Sequence, residues 1–225
     1  MIVLHTTKYS ENSLIIHGYT LEKGRVGVIL KGAVPGGGRR KTTKGKAISV
    51  LHPLSIMDIQ TVENHKGGME TLREYNQRYQ LNSIRTDITK SSMAMFLSEL
   101  MYRTLVTSEE DQAMYRFVEN AILLLDRLEG SAANFHVWFI ICYCQMLGFA
   151  PVEGFGVEFD PFSVEEKEIL NKIYNASSFE DAMMLPLSGS LRRKLIDSLI
   201  KYMEYHTGSR IQINSLAVLQ TIFSV

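Results

Sequence analysis

The chain contains, at residues Gly24–Lys46, the segment GRVGVILKGAVPGGGRRKTTKGK, which begins with a strand pattern and ends in a glycine-rich, cationic loop. Pro35 and Gly36–Gly38 disfavour regular structure, since proline lacks an amide hydrogen and glycine has the largest backbone freedom. Five cations then follow within eight residues, with no acid among them: Arg39, Arg40, Lys41, Lys44 and Lys46. A cationic loop carried by a strand suits a polyanion better than a small substrate.

Charge is divided unevenly along the chain, although its 225 residues carry a formal net charge of zero. Residues 1–50 hold nine Lys or Arg and two acids, which gives +7, while the remainder holds 15 basic and 22 acidic residues, which gives −7. This asymmetry predicts an N-terminal surface that binds nucleic acid or another acidic partner.

Short strand patterns surround the cationic loop. Their spacing by turns over about 75 residues predicts a small barrel of the OB type, whose loops and one sheet face commonly hold nucleic acid. A polar break is expected at His5–Asn12. The predicted strands are residues 2–4, Ser13–Thr20, Arg25–Lys31, Ala47–Leu51, Ser55–Val62 and Met69–Tyr75.

From about residue 88 the apolar period changes from 2 to 3.6, which predicts helices. Ser163 and Glu166 have the spacing of a capping box. We therefore predict an α+β fold, with an N-terminal OB-fold β-barrel domain at 1–80 and an all-α helical domain at 81–225. The helices after the first are expected at Asp111–Leu128, Ala133–Leu147, Ser163–Tyr174, Ser178–Leu185, Ser190–His206 and within Ile211–Phe223.

The candidate DNA-binding residues are the loop cations together with basic residues on the adjoining strands. Phosphate contacts would fix the position of the nucleic acid; the alternative is a solvated loop. Tyr9, Tyr19 and Tyr75 could stack on bases or pack in the barrel. The full predicted set is Lys23, Arg25, Lys31, Arg39, Arg40, Lys41, Lys44 and Lys46.

Several chemistries are not supported by the sequence. A P-loop fails because Arg40 stands where the first glycine belongs and Ala47 follows Lys46. Cys142 and Cys144, two apart on a predicted helix, do not share a face and cannot chelate a metal together. No catalytic grouping, cofactor motif, disulfide framework or membrane span is recognisable, so we expect a non-enzymatic protein of the reducing cytoplasm without a metal.

A succession of short motifs resembles the RecO family of bacterial DNA repair proteins. No single motif is highly specific, but their order covers nearly the whole chain. They are VLHTTKYSENSLI (Val3–Ile15), YTLEKG (Tyr19–Gly24), LKGA (Leu30–Ala33), LHPL (Leu51–Leu54), FLSELMY (Phe96–Tyr102), FH (Phe135–His136) and LGFAP (Leu147–Pro151).

The resemblance implies an OB fold and a helical domain, binding of single- and double-stranded DNA, and annealing of complementary strands. It also implies work with RecR in loading RecA, contact with the acidic tail of single-strand-binding protein, and a nucleoid-associated location. Many members of the family carry a zinc-binding cysteine cluster, whereas no cysteine follows Pro151–Gly156 here. We therefore expect no zinc.

Two other functions are compatible with the residues. An OB module that binds RNA or the ribosome would show the same phosphate contacts, because backbone contacts to RNA and DNA look alike. An adaptor that binds acidic protein tails would use the same cations without nucleic acid.

Overall fold

The structure, a computed structural model, describes residues 1–33, 50–64, 67–150 and 159–223. Within these ranges lie five strands followed by eight complete helices. The strands are β1 Ile2–Ser10, β2 Ser13–Thr20, β3 Gly24–Lys31, β4 Met57–Val62 and β5 Glu70–Gln77. The helices are α1 Asn82–Thr86, α2 Ile88–Thr104, α3 Gln112–Arg127, α4 Phe135–Met146, α5 Val164–Tyr174, α6 Phe179–Met184, α7 Gly189–Thr207 and α8 Leu216–Ile222.

The five strands form one sheet in the order β1-β2-β3-β5-β4. Neighbouring strands are antiparallel, except that β3 runs parallel to β5. An antiparallel bridge between Ile2 and Ile56 brings the start of β1 beside the chain that enters β4, where the Met57 amide donates to the Met1 carbonyl at 2.8 Å. This contact closes the sheet into the five-stranded barrel of an OB fold, and the predicted α+β fold class is confirmed.

Strand β1 continues through residues that the sequence pattern assigns to a polar break. Thr6 pairs with Ile16, and Lys8 pairs with Leu14. A hairpin ladder joins backbone groups and does not require apolar side chains, so β1 extends over solvent-exposed positions. The predicted break is therefore wrong for His5–Ser10.

Of the other predicted elements, some are confirmed and one lies mostly outside the described residues. Strand β2 has the predicted bounds, and the capping box of Ser163 and Glu166 is present at the start of α5. Helix α1 was not predicted. The predicted strand Ala47–Leu51 lies mostly outside the described residues, and its last residue, Leu51, is buried in the barrel interior without being in a strand.

Two hydrophobic clusters share strand β1. Val3 points into the barrel, where it joins Ile16 and Val28. Ile2 and Leu4, on the opposite side of the same strand, belong to the larger cluster formed by the helices. The barrel wall is thus also a wall of the helical core, and the predicted domain boundary at residue 80 stays a prediction.

The turn before β3 is pressed against the chain that leads from α2 to α3. Gly24 has φ +58°, and a Cβ built on it would lie 2.2 Å from the carbonyl oxygen of Glu109. The Arg25 amide donates to the Thr107 carbonyl at 3.1 Å. Only glycine fits this close approach, because a side chain would meet both a backbone atom and an unfavourable conformation.

No helix within the described ranges combines the length and apolar character needed to cross a bilayer.

Candidate nucleic-acid interface

The outer side of the barrel carries a row of paired residues that cross four strands. Thr7 pairs with Ile15, Ile15 with Ile29, and Ile29 with Thr71. Val62 on β4 extends the row and is 39% exposed, while both isoleucines are only half-buried. We call these five residues the outer strip; it presents apolar side chains to solvent on the sheet surface with which OB folds commonly bind oligonucleotides.

A second row runs beside the outer strip, nearer the helices. His5 pairs with His17, and His17 pairs with Gly27. A Cβ built on Gly27 would lie 3.4 Å from the sulfur of Met69, so Met69 lies alongside this glycine. The partly exposed side chain of Met69 thus covers the position where Gly27 has no side chain, and it adds an apolar group beside the outer strip.

The last described residues before the cationic loop lie at one end of this surface. Lys31, the last residue of β3, is exposed and pairs with Ser13. Two residues later the Ala33 amide donates to the Asn12 carbonyl at 2.9 Å. The predicted contacts Arg39, Arg40, Lys41, Lys44 and Lys46 lie outside the described residues, and their role stays a prediction.

The remaining two predicted cations have protein partners. Lys23 forms an ion pair with Glu70 at 2.6 Å, and this hydrogen bond raises the pKa of the lysine. Arg25 donates to the Leu105 carbonyl at 2.7 Å. Since Lys23 and Lys31 lie at opposite ends of β3, ~25 Å apart, they cannot form one patch. Their role in DNA binding also stays a prediction.

The three candidate stacking tyrosines have different surroundings. Tyr9 is 59% exposed at the end of β1. Tyr75 is half-buried against the barrel interior. Tyr19 is buried beside Tyr115, with ring centroids 6.3 Å apart, so of its two possible roles the structure shows packing.

A cavity of about 330 Å³ opens at the far end of the barrel, beside the β2–β3 turn. Its wall cations are already compensated, since Lys23 contacts Glu70 and Arg78 donates to Asp58 at 2.8 Å. The amino group of Met1 also lines this cavity, and burial, followed by the charge of Arg78, lowers its pKa to about 6. Such a charge-balanced wall suits a polyanion less well than the outer strip.

Metal chemistry finds no support in the part of the chain that the structure describes, where no group of three His, Cys, Asp or Glu side chains could hold an ion. Burial raises the pKa of Cys142 to about 11 and also raises the pKa of Cys144. Both thiols are therefore protonated at neutral pH, whereas the thiolate is the metal ligand.

The outer strip was missed at the level of sequence, although one signal was available. SLIIHGYT places apolar residues at both Ile15 and Ile16. Ile16 points into the barrel and is fully buried, so its neighbour must point outward. Two adjacent isoleucines in a strand that alternates sides indicate an apolar outer surface.

Known proteins show similarity over the whole chain. The family Recombination protein O N terminal matches residues 1–80, and Recombination protein O C terminal matches residues 85–153. The chain is 28% identical to the DNA repair protein RecO of Flavobacterium psychrophilum over an alignment of 241 positions, which covers 99% of this chain and 97% of the relative. It is 28% identical to that of Christiangramia forsetii over 239 residues, with the same two coverages. The chain is 32% identical to the DNA repair protein RecO of Flavobacterium johnsoniae over 150 residues, which cover 67% of this chain and 61% of the relative.

Proposed function

The chain belongs to the RecO family of DNA repair and recombination proteins, and from this premise we propose that it is a non-enzymatic mediator that binds DNA. It holds single- and double-stranded DNA, anneals complementary strands and, with RecR, helps to load RecA. The family matches and the nearly full-length relatives support the repair role, and the OB barrel supplies a surface for the strand.

The outer strip is the observation that carries the proposal. Unstacked bases of a single strand need apolar or flat surfaces, and Ile15 and Ile29 offer such a surface in the middle of the sheet. Phosphates need cations, and the five-cation run Arg39–Lys46 begins eight residues after Lys31, which ends β3 at the edge of this surface. Base contacts and phosphate contacts are therefore available side by side.

Annealing follows from the same charge distribution. Two DNA strands repel each other, and a protein with a net charge of +7 in its first 50 residues lowers that repulsion when both strands lie against it. Residues 51–225, with net charge −7, are better suited to docking proteins than to holding DNA. We assign to them the contacts with RecR, and we place the protein at the nucleoid.

The test is fluorescence anisotropy with a labelled oligo-dT, titrated across salt concentrations. If about four cations contact phosphates, the logarithm of the binding constant should fall with a slope of about −2.8, and a fourfold rise in salt should weaken binding ~50-fold. Alanine at all five cations of residues 39–46 should flatten the slope. Ile15→Ser with Ile29→Ser should weaken binding several-fold and leave the slope unchanged, because these contacts are uncharged.

A matched control removes two exposed lysines elsewhere, Lys172 on α5 and Lys201 on α7. Alanine at both should change neither affinity nor slope. Weak binding with a flat slope in the unmodified protein would refute the proposal. Equal effects of the control and the five-cation variant would show that overall charge, and not this surface, attracts the DNA.

One observation favours a second ligand for the same surface. Apolar side chains beside cations also suit an acidic peptide with apolar residues, such as the tail of single-strand-binding protein. A synthetic peptide of that composition should then compete with oligo-dT, and the Ile15→Ser, Ile29→Ser variant should lose both ligands. Competition with an RNA oligonucleotide of the same length separates DNA from RNA preference.

A further inference from the structure

Where the barrel meets the end of α2, five side chains form a compact group that we call the junction cluster: His5, His17, Arg25, Tyr102 and Arg103. The ring of Tyr102 lies 4.7 Å from that of His5 and 5.2 Å from that of His17, measured between centroids. The guanidinium carbons of Arg25 and Arg103 lie 4.6 and 5.7 Å from the centroid of the same ring. Tyr102 is thus surrounded by two imidazoles and two cations.

The junction cluster is continuous with the outer strip. His5 and His17 occupy the row next to Thr7 and Ile15, on the same side of the sheet. His5 and Arg103 are exposed, whereas His17 and Tyr102 are half-buried. A nucleic-acid strand that crosses the outer strip therefore reaches the junction cluster after one more row of residues. This step along the sheet is ~7 Å, about the spacing of successive phosphates.

Among the described residues, one carboxylate, that of Glu99, forms an ion pair with the junction cluster. Glu99 on α2 comes within 4.0 Å of Arg103, but its oxygens also accept from the Ser215 amide at 2.9 Å and from the Asn214 amide at 3.0 Å. At this distance and exposure the ion pair contributes little. Arg25 donates to a neutral carbonyl, that of Leu105, and Arg103 is 4.0 Å from Glu99, so neither guanidinium has a carboxylate at close hydrogen-bond distance among the described residues.

We propose that the junction cluster is a phosphate-binding subsite for the strand that lies on the outer strip, so that the nucleic acid continues from the barrel onto helix α2. Arg103 and the two imidazoles contact the phosphate, and Tyr102 holds them in place. The inference rests on the proposed function and adds to it a contact from the helical part of the chain.

Protonation of His17 accompanies this contact. Burial, followed by the charges of His5 and Arg25, lowers the pKa of His17 in the free protein, and a phosphate beside the ring has the opposite effect. A phosphate that raises the pKa of His17 on binding makes binding tighter at pH 6 than at pH 8. Each added positive charge also steepens the salt slope by about 0.7.

The experiment measures oligo-dT affinity at pH 6 and pH 8, and the salt slope at each pH. His5→Gln with His17→Gln keeps polar side chains and removes the charge. Between pH 8 and pH 6 the affinity of this variant should rise less than that of the unmodified protein. The comparison between the two proteins is the readout, because the amino group of Met1 also titrates in this range.

Arg103→Gln tests the cation by the same assay, and Arg116→Gln, an exposed arginine on α3, is its matched control. Arg103→Gln should reduce both affinity and slope, and Arg116→Gln should change neither. Circular dichroism melts check that every variant is folded. If oligo-dT binds well but the histidine and Arg103 variants behave as the unmodified protein does, the subsite is refuted and the proposed function stands. Absence of binding by the unmodified protein refutes both.

Discussion

Folding stability should fall between pH 7 and pH 5 because of one histidine in the helical core. His136 on α4 is 3% exposed, its ring stacks on Phe223 with centroids 5.3 Å apart, and Phe96 meets it edge-on. Its Nδ1 has no hydrogen-bond partner among the described residues. Burial, followed by the charge of Arg192, lowers its pKa from 6.5 to about 3.

The direction of the stability change with pH follows from the protons that the folded and unfolded chains bind. The unfolded chain takes up a proton at this histidine below pH 6.5, whereas the folded chain resists protonation until pH is near 3. Stability from neutral His136 is complete above pH 6.5 and is lost progressively as pH falls toward 3. With these two values the loss at pH 5 is about 2 kcal/mol.

Urea denaturation at pH 7.5 and pH 5.0 checks this magnitude, with His136→Phe as the variant. The phenylalanine ring can keep the stack on Phe223 and cannot be protonated. Whatever its stability at pH 7.5, the variant should gain about 2 kcal/mol relative to the unmodified protein at pH 5.0. Phe96→Leu, a change of an uncharged neighbour, should keep a constant difference. A difference between His136→Phe and the unmodified protein that does not change with pH would refute the reasoning.

Two further stability predictions follow from close backbone contacts. Gly24→Ala should lower the free energy of unfolding by about 2–4 kcal/mol, because the added Cβ meets the carbonyl of Glu109 and φ is positive. Urea denaturation measures this loss, and an unchanged midpoint would contradict the prediction. Lys90→Met should lower the free energy of unfolding by about 2–3 kcal/mol. The buried ammonium donates to the carbonyls of Asp126 and Leu128 at 3.1 and 2.7 Å, and its removal leaves these oxygens without that donor. Thermal denaturation measures this loss, and Lys172→Met on the surface of α5 is the control that should change little.

Much of the fold could be predicted because local signals agreed with the tertiary structure. The bounds of β2 and the capping box at Ser163 came from short-range patterns that the folded chain keeps. The prediction of a polar break at His5–Ser10 was wrong because the polar side chains do not show that the backbone of this segment pairs with β2. Ser215 occupies the N-cap position of α8, but its hydroxyl donates to Glu99 at 2.6 Å and makes no cap hydrogen bond, which a short-range sequence pattern does not reveal.

The candidate site was less accessible to sequence reasoning. Cations are visible in a sequence, but their partners are not: Glu70 is 47 residues from Lys23, and Leu105 is 80 residues from Arg25. The outer strip depends on the register of β1, β2, β3 and β5, which no short-range pattern encodes. The family resemblance succeeded because it used the order of many weak motifs along the chain, and the family matches confirm it.

The two sides of β1 have a mechanical consequence. Because Val3 belongs to the barrel interior and Ile2 and Leu4 belong to the helical core, neither half can rotate without opening the other. The barrel and the helices therefore keep one relative orientation, in which the outer strip and the helical surface face fixed directions. A change of the angle between the barrel and the helices would require β1 to separate from one of its two clusters.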